Sequence, residues 1–244
     1  MRRGILYGTL ADCYDGIYRF KDYSKEAREI VRMASRYLGR RPRSLLDVGC
    51  GTGTHLAEFR KTLDVAGVDL SADMLRVARR RLGKGVRLVR GDMRRFSLDA
   101  GFDVVTCLFS AIGYMPTRRD RDLAIANFYH HLNPGGVALV EGWVLPERWR
   151  GTSVALNTYE DRDIRVARVA SAWRERDHSA VEFQWLVAER GKRIRHYAEI
   201  ERNPLVEAED MLGSFRRAGF RARILLGRPY RDRVLYVGVR PASA

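Results

Sequence analysis

The stretch LLDVGCGTGTHL, residues 45–56, limits the possible folds of this chain more than any other feature. A short apolar strand pattern carries Asp47 near its end, and glycines follow at alternate positions, Gly49, Gly51 and Gly53, before helical spacing resumes. Glycine adopts positive φ at little steric cost and lets the backbone approach a ligand closely. A strand, a glycine turn and a helix together present backbone N–H groups and the positive helix end to that ligand. The stretch therefore predicts a nucleotide-type binding turn in an α/β sheet.

Strand and helix patterns alternate on both sides of this turn, up to about residue 146. Strands are predicted at 44–48, 65–70, 86–90, within 102–114 and at 137–143, with NPGG as a turn before the last. Alternation at this spacing is typical of right-handed crossovers in a parallel sheet. We expect an α/β chain with a Rossmann-like, doubly wound, mostly parallel seven-stranded sheet.

The pattern changes after Pro146, and three segments are expected. Residues 1–146 form the ligand-binding core with an N-terminal lid. Residues 147–203 form an antiparallel β insertion, because β-like stretches there alternate with charged turns such as RERD and ERGK. Residues 204–244 return to the core with a helix and a β-hairpin.

The turn itself narrows the chemistry of the ligand. Its glycine spacing differs from the GxGxxG dinucleotide pattern, and no lysine follows as a P-loop requires. Asp47 suits a cationic, amine-bearing ligand better than a diphosphate, because an unpaired anion beside phosphate is repulsive. Asp69 closes the second strand, where a carboxylate can accept hydrogen bonds from both hydroxyls of a ribose. The two acids indicate a nucleoside that carries a positive charge.

Composition sets looser limits. The formal net charge is +15, which suits an anionic partner but also a heavily charged surface on a heat-adapted protein, since the chain has one Gln and four Asn. No apolar run is long enough to span a membrane, and no signal peptide is recognised. Three scattered cysteines predict neither a disulfide framework nor a metal site, which favours the cytoplasm.

The motifs DVGCGTGTHL, GVDLSADML and GDMRRFSL resemble those of class I S-adenosylmethionine-dependent methyltransferases. The resemblance implies that the amino-acid part of the cofactor lies on Gly49 and Gly51 and that the ribose is held by Asp69. It further implies that the adenine contacts Leu70, Met74, Asp92 and Met93. The full set of cofactor-binding residues expected from the resemblance is Tyr14, Tyr23, Gly49, Gly51, Asp69, Leu70, Met74, Asp92, Met93 and Leu108.

A closer resemblance covers nearly the whole chain. YDGIYRFKDY, FSAIGYM, HLNPGGVALVEGW and LYVGV are similar to the N,N-dimethyltransferases of amino-sugar biosynthesis. This implies N-methylation of the amine of a nucleotide-linked amino sugar, and a homodimer formed through the β insertion. The segments EGWVLPE and GRPYRDR depart from the family pattern, so the resemblance defines the acceptor less closely than the cofactor. The expected partner is a small-molecule amine, and the basic charge of the chain would suit an acceptor that also carries negative charge.

Methyl transfer from a sulfonium requires a neutral acceptor lone pair held in line, so a strong general base is optional. Tyr14 resembles the family tyrosine that closes over the cofactor and faces the amine, and it is the candidate catalytic residue. The alternative role for Tyr14 is purely structural, as a tyrosine on the hydrophobic face of a lid helix. Glu141 and Trp143, after the fifth strand, are candidate substrate residues or else core residues. His130 and His131 end a helix and are interpreted as structural.

Three function classes remain open from the residues. A small-molecule N-methyltransferase is favoured. An RNA methyltransferase would suit the charge, but the chain lacks an RNA-binding module and an NPPY-type loop after the fourth strand. The third class is a binding protein that keeps cofactor affinity without turnover. The arginines of the insertion could bind phosphate, although most of them are expected to be solvated. These arginines include Arg165, Arg168, Arg193 and Arg195.

Overall fold

The computed structural model describes residues 4–226 and 234–242, and its main feature is a seven-stranded sheet. The strand order is β10-β11-β5-β4-β1-β2-β3, and only β11 runs antiparallel to its neighbours. These strands are β1 (Ser44–Val48), β2 (Asp64–Asp69), β3 (Arg87–Arg90), β4 (Phe102–Cys107), β5 (Leu132–Glu141), β10 (Arg221–Leu225) and β11 (Leu235–Val239). The predicted fold class, a doubly wound and mostly parallel sheet, is confirmed.

The helices begin where the sequence supplies caps. They are α1 (Tyr14–Ile17), α2 (Tyr23–Leu38), α3 (Thr54–Phe59), α4 (Ala72–Leu82), α5 (Arg118–His130) and α6 (Ala208–Arg217). The side chains of Asp22, Ser71 and Thr117 each accept a hydrogen bond from a backbone N–H of the first turn. Gly39 ends α2 in the left-handed conformation that glycine favours.

The fifth strand differs from its prediction. It begins at Leu132, so the expected NPGG turn lies inside the strand rather than before it. Pairing with β4 shifts register between Phe102 and Val104, and Gly135 takes a φ of +78° within this irregularity. A glycine of positive φ lets a strand absorb a bulge, which is why turn-forming residues can be part of a strand.

A second sheet is built from the antiparallel strands β6 (Val154–Glu160), β7 (Ile164–Glu175), β8 (His178–Glu189) and β9 (Arg195–Pro204). Its two faces differ. The inner face packs on the N-terminal segment, where Trp185 and Val187 join Leu10, Tyr14 and Ile17 in one apolar cluster. Alternate residues of each strand point outward instead. The sheet therefore covers this N-terminal segment, the lid, which includes Leu6, Leu10 and α1, with one face and exposes the other.

The predicted division of the chain into 1–146, 147–203 and 204–244 stays a prediction. The departing segment GRPYRDR, residues 227–233, lies outside the described residues. Within 4–226 and 234–242, no helix is long and apolar enough to cross a membrane.

Candidate active site

The glycine turn is held by backbone hydrogen bonds to the end of β2. Gly49, Gly51 and Gly53 have φ values of +76°, +56° and +75°. The N–H of Gly51 donates to Asp69 Oδ2 and that of Ser71 to Asp69 Oδ1, both at 2.8 Å. Burial raises the pKa of Asp69, and these two N–H groups oppose that rise. The carboxylate thus fixes the turn and reaches the carboxyl edge of the sheet, where ligands of open α/β folds bind.

A recess opens beside this turn, and its lining brings together distant parts of the chain. Asp47 lies at its base with 2% exposure and accepts a 2.7 Å hydrogen bond from the hydroxyl of Thr106. Burial raises the pKa of Asp47 to about 6. The lining residues are Tyr14, Tyr23, Asp47, Gly49, Cys50, Gly51, Thr52, Thr54, His55, Leu108 and Phe109.

Tyr14 and Tyr23 come to this recess from the N-terminal segment. Tyr14 is 8% exposed, and its ring lies 4.9 Å from that of Tyr18. Tyr23 packs edge-on against His55 at 4.8 Å between ring centroids. Burial raises the pKa of both phenols well above the usual value for tyrosine. Both therefore stay protonated near neutral pH and can donate a hydrogen bond but not act as a base.

The residues expected around the adenine are arranged less uniformly. Met74 is buried under the lid, Met93 is half-buried against the core, and Leu70 is 41% exposed. Asp92 binds Arg94, whose Nε and Nη2 donate to its two oxygens at 2.5–3.1 Å. Arg94 lowers the pKa of Asp92, so the carboxylate is ionised and already engaged. The amino group of a purine bound here would therefore share the lone pairs of the Asp92 carboxylate with Arg94.

The candidate substrate residues lie past the end of β5. Glu141 is 3% exposed, and its Oε2 accepts from the N–H of Phe109 at 2.7 Å. Trp143 donates from Nε1 to Ser179 Oγ at 2.8 Å and lines a second, smaller pocket with Gly113. Ser179 belongs to β8, so Trp143 ties the carboxyl edge of the main sheet to the second sheet.

Other candidates have structural partners. His131 is buried, and its Nδ1 and Nε2 lie 2.8 and 3.1 Å from Asn127 O and Leu98 N, in agreement with its structural interpretation. Burial lowers the pKa of His131. Among the four insertion arginines considered for phosphate binding, most of which are expected to be solvated, Arg165 and Arg193 are exposed and Arg168 is buried. Arg168 is 6% exposed and donates to the phenol of Tyr18 and to Asn157 Oδ1.

Comparisons with known proteins decide the family. Residues 45–136 match the methyltransferase domain family. The chain is 41% identical over 94% of its length to dTDP-3-amino-3,4,6-trideoxy-alpha-D-glucopyranose N,N-dimethyltransferase of Streptomyces venezuelae, 97% of which is covered. The chain belongs to this family of S-adenosylmethionine-dependent N,N-dimethyltransferases.

Solved structures agree with that assignment. The fold matches DesVI of Streptomyces venezuelae with a TM-score of 0.86 at 40% identity, covering 96% of this chain and 98% of DesVI. It also matches the S-adenosylmethionine-bound amino pentose methyltransferase CalS10 of Micromonospora echinaspora, with a TM-score of 0.81 at 33% identity over 98% and 100% of the two chains. The chain is thus an S-adenosylmethionine-dependent methyltransferase.

The recess of this methyltransferase fits that cofactor. A Cβ on Gly51 would lie 3.3 Å from Met74 Cε, so the turn has little room for a side chain between it and Met74. Asp47 offers a buried carboxylate to the α-amino group of a methionine moiety. Asp69 keeps further lone pairs beside its two N–H partners.

Sequence reasoning missed the polar contacts that hold the lid of this methyltransferase. Asp15 Oδ1 accepts from the hydroxyls of Thr52 and Thr54 at 2.6 and 3.0 Å, and Arg81 pairs with its Oδ2. A second set pairs Glu26 with His55 and Lys21, at 2.9 and 2.7 Å. Asp15 and Thr52 lie within the motifs YDGIYRFKDY and LLDVGCGTGTHL, yet only the fold shows that they meet.

Proposed function

We propose that this enzyme methylates the amine of a nucleotide-linked amino sugar. The observation that carries the proposal is the likeness over nearly the full length to a dTDP-amino sugar N,N-dimethyltransferase, which includes the second sheet as well as the cofactor-binding core. S-Adenosylmethionine supplies an electrophilic sulfonium methyl group when bound. The protein's own residues position the amine and exclude water.

The cofactor is assigned to the recess by its lining. We place the methionine moiety against Gly49, Gly51 and Asp47, with Tyr23 and Leu108 beside it. Asp69 would accept from the ribose hydroxyls. The adenine would lie over Met74 near Asp92, with Leu70 and Met93 at its edges; these four assignments rest on the sequence motifs.

Tyr14 is proposed to contact both ligands. It lines the recess, and its ring also lies 6.0 Å from that of Tyr7 on the side of the second sheet. Its protonated phenol can orient an acceptor by donating a hydrogen bond. Glu141 and Trp143, at the carboxyl edge beside the second sheet, are proposed to shape the pocket for the sugar.

Radiolabelled methyl transfer tests the proposed function. The protein is incubated with labelled cofactor and with separate pools of dTDP-amino sugars, small amines and tRNA. We expect label in the dTDP-amino sugars, and the same sugars with a hydroxyl in place of the amine serve as the matched control. Label found in tRNA alone would contradict the proposal.

We further propose a homodimer formed through the outer face of the second sheet. Leu156 and Val169 are directly paired on this face, and each of the four strands carries at least one exposed apolar side chain there: Val154, Leu156, Val169, Leu186 and Ile200. Exposed apolar patches of this kind mark interaction sites. An isologous contact would cover the face in both copies.

We also propose a cytoplasmic enzyme adapted to elevated temperature, acting on an acceptor made anionic by its phosphates. Cys13, Cys50 and Cys107 are all buried free thiols, and the ion pairs of the second sheet, such as Arg165 with Glu160 and Arg195 with Glu189, lie at its surface. Thermal unfolding and localisation of a tagged chain would test these points.

A further inference from the structure

Glu201 lies where the lid, the main sheet and the second sheet meet. Its Oε2 accepts a hydrogen bond from the phenol of Tyr114 at 3.2 Å, and Tyr114 shares a 2.5 Å hydrogen bond with the phenol of Tyr7. Tyr7 belongs to the lid, and Tyr114 ends a 3-10 turn that follows β4. The chain of hydrogen bonds ends at Tyr7, whose ring lies 6.0 Å from that of Tyr14, a residue that lines the recess.

A second carboxylate lies on the same face. Glu199 is two residues from Glu201 in β9. Its Oε2 accepts a 2.8 Å hydrogen bond from the backbone N–H of Ile5, whereas its Oε1 is buried without a hydrogen-bond partner among the described residues. Within 4–226 and 234–242, neither glutamate forms an ion pair with lysine or arginine. Arg168 faces Glu201 but directs its two Nη groups to a lid phenol and to a side chain of β6. Two neighbouring half-buried carboxyls without a cationic partner among the described residues favour a ligand with a positive charge.

The surroundings of Glu201 set its proton affinity. Burial first, and repulsion from Glu199 second, raise the pKa of Glu201 to about 7, while Tyr114 and Arg168 oppose the rise. Among the described residues, the charged and titratable groups that face Glu201 are Glu199, Tyr114, Arg168 and, from the lid, Tyr7. Burial raises the pKa of both phenols, so they remain donors. A carboxyl that titrates near neutral pH can take up and return a proton during turnover.

The same inner face also carries buried donors that no described residue satisfies. Trp185 is 1% exposed, and its Nε1 has no acceptor; the Nε of Arg168 is likewise buried and unpartnered. The two residues are paired across β7 and β8, with the guanidinium 5.5 Å from the indole ring. Buried polar groups normally have partners. The face therefore offers unpaired N–H groups and a carboxylate oxygen to a polar ligand.

We propose that Glu201 receives the acceptor amine and takes up its proton. The carboxylate accepts a hydrogen bond from the ammonium group. The N–H bond then breaks with its electron pair kept on nitrogen, and the proton forms the O–H bond of the Glu201 carboxyl. The proton passes to solvent when the product leaves, and the step repeats for a second methylation. The inference rests on the proposed function, because it presupposes an amine acceptor.

Ligand binding without turnover gives the first test. Calorimetry compares wild-type protein and Glu201→Gln with a dTDP-amino sugar and with its hydroxyl analogue, in the absence of cofactor. Loss of a charge-assisted hydrogen bond should weaken the amine about 10- to 100-fold and the hydroxyl analogue less than about twofold. An equal loss for both ligands, or no loss for either, would overturn the assignment.

Kinetics give the second test. We expect kcat/KM of Glu201→Gln to fall about 100-fold at pH 7, and the deficit to narrow toward pH 9, where more of the amine is neutral in solution. Glu201→Asp should recover part of the loss. Glu160→Gln, in an exposed ion pair of β6, should match wild type. If Glu201→Gln does not bind cofactor, Tyr114→Phe is measured instead. Because it removes the hydrogen bond to Glu201, it should shift the acidic limb of the profile of kcat/KM against pH.

The two hypotheses can fail separately. If the wild-type protein methylates the amine and Glu201→Gln equals it at every pH, the inference fails while the proposed function stands. If the wild-type protein labels no amine, the proposed function fails and the inference with it.

Discussion

At the scale of single residues, the acid at the base of the recess links cofactor affinity to pH. Asp47 is buried, accepts one hydrogen bond from Thr106, and has a pKa raised by burial to about 6. The protonated form therefore dominates below pH 6, and only the ionised form attracts an ammonium group. A cationic ligand should bind more weakly as the pH falls through 6.

We expect the dissociation constant for S-adenosylmethionine to be about tenfold higher at pH 5 than at pH 7, because a carboxyl with a pKa of about 6 loses about nine-tenths of its ionised form over this range. Calorimetry over this range measures it. Asp47→Asn should bind more weakly at pH 7 and lose most of the pH dependence. An unchanged profile in Asp47→Asn would show that another group is responsible.

Asp69 carries two kinds of hydrogen bond, and its removal should affect both. Asp69→Ala leaves the N–H groups of Gly51 and Ser71 without their acceptor and removes the proposed ribose contact. We expect cofactor affinity to fall about 100-fold and the free energy of unfolding to fall by about 1–3 kcal/mol. Asp64→Ala, at the exposed start of the same strand, is the control and should change neither. Unchanged affinity in Asp69→Ala would mean that the ribose lies elsewhere.

At the scale of elements, the lid depends on close packing beneath the second sheet. A Cβ on Gly16 of α1 would lie 2.0–2.6 Å from ring atoms of Tyr159 in β6. A Cβ on Gly8 would meet its nearest atom at 3.7 Å, an ordinary contact. The two lid glycines therefore differ in whether a methyl group can be accommodated.

Gly16→Ala should lower the free energy of unfolding by about 1–3 kcal/mol, because overpacking exceeds the gain of up to about 1 kcal/mol in helix propensity. It should also weaken cofactor binding, since α1 carries Tyr14. Gly8→Ala should leave both unchanged. Thermal unfolding and calorimetry check these outcomes, and Tyr159→Ala in the Gly16→Ala background should restore stability in part. Equal behaviour of the two glycine variants would contradict the packing argument.

Much of the fold could be predicted, because strand periodicity and the glycine turn depend on local backbone requirements. Gly51 must adopt positive φ, and that need is visible in one residue. Glu201 gives no such sign, since alternation along a strand tells which residues share a face but not what the face covers. Asp92 shows the same limit: Arg94 is only two residues away in sequence, yet only the fold shows Arg94 bound to both Asp92 and Asp120.

At the scale of the whole molecule, the exposed apolar face should determine the oligomeric state. Leu186 is 53% exposed at the middle of this face, opposite Ala167. We expect light scattering to give twice the chain mass of 28.0 kDa for wild-type protein and the single-chain mass for Leu186→Lys. Leu123→Lys, at a 46% exposed leucine of α5, is the matched control and should remain dimeric. A monomeric wild type, or a dimeric Leu186→Lys, would contradict the proposed interface.

The alternation of the second sheet also limits how related chains can vary in length. Ile200 is exposed on the outer face, whereas its neighbours Glu199 and Glu201 point inward. A one-residue insertion or deletion within β9 would exchange the two faces beyond that point. It would place a carboxylate in the proposed interface and an aliphatic group against Tyr114. Viable length changes within this strand should therefore come in even steps, or be absorbed by a bulge.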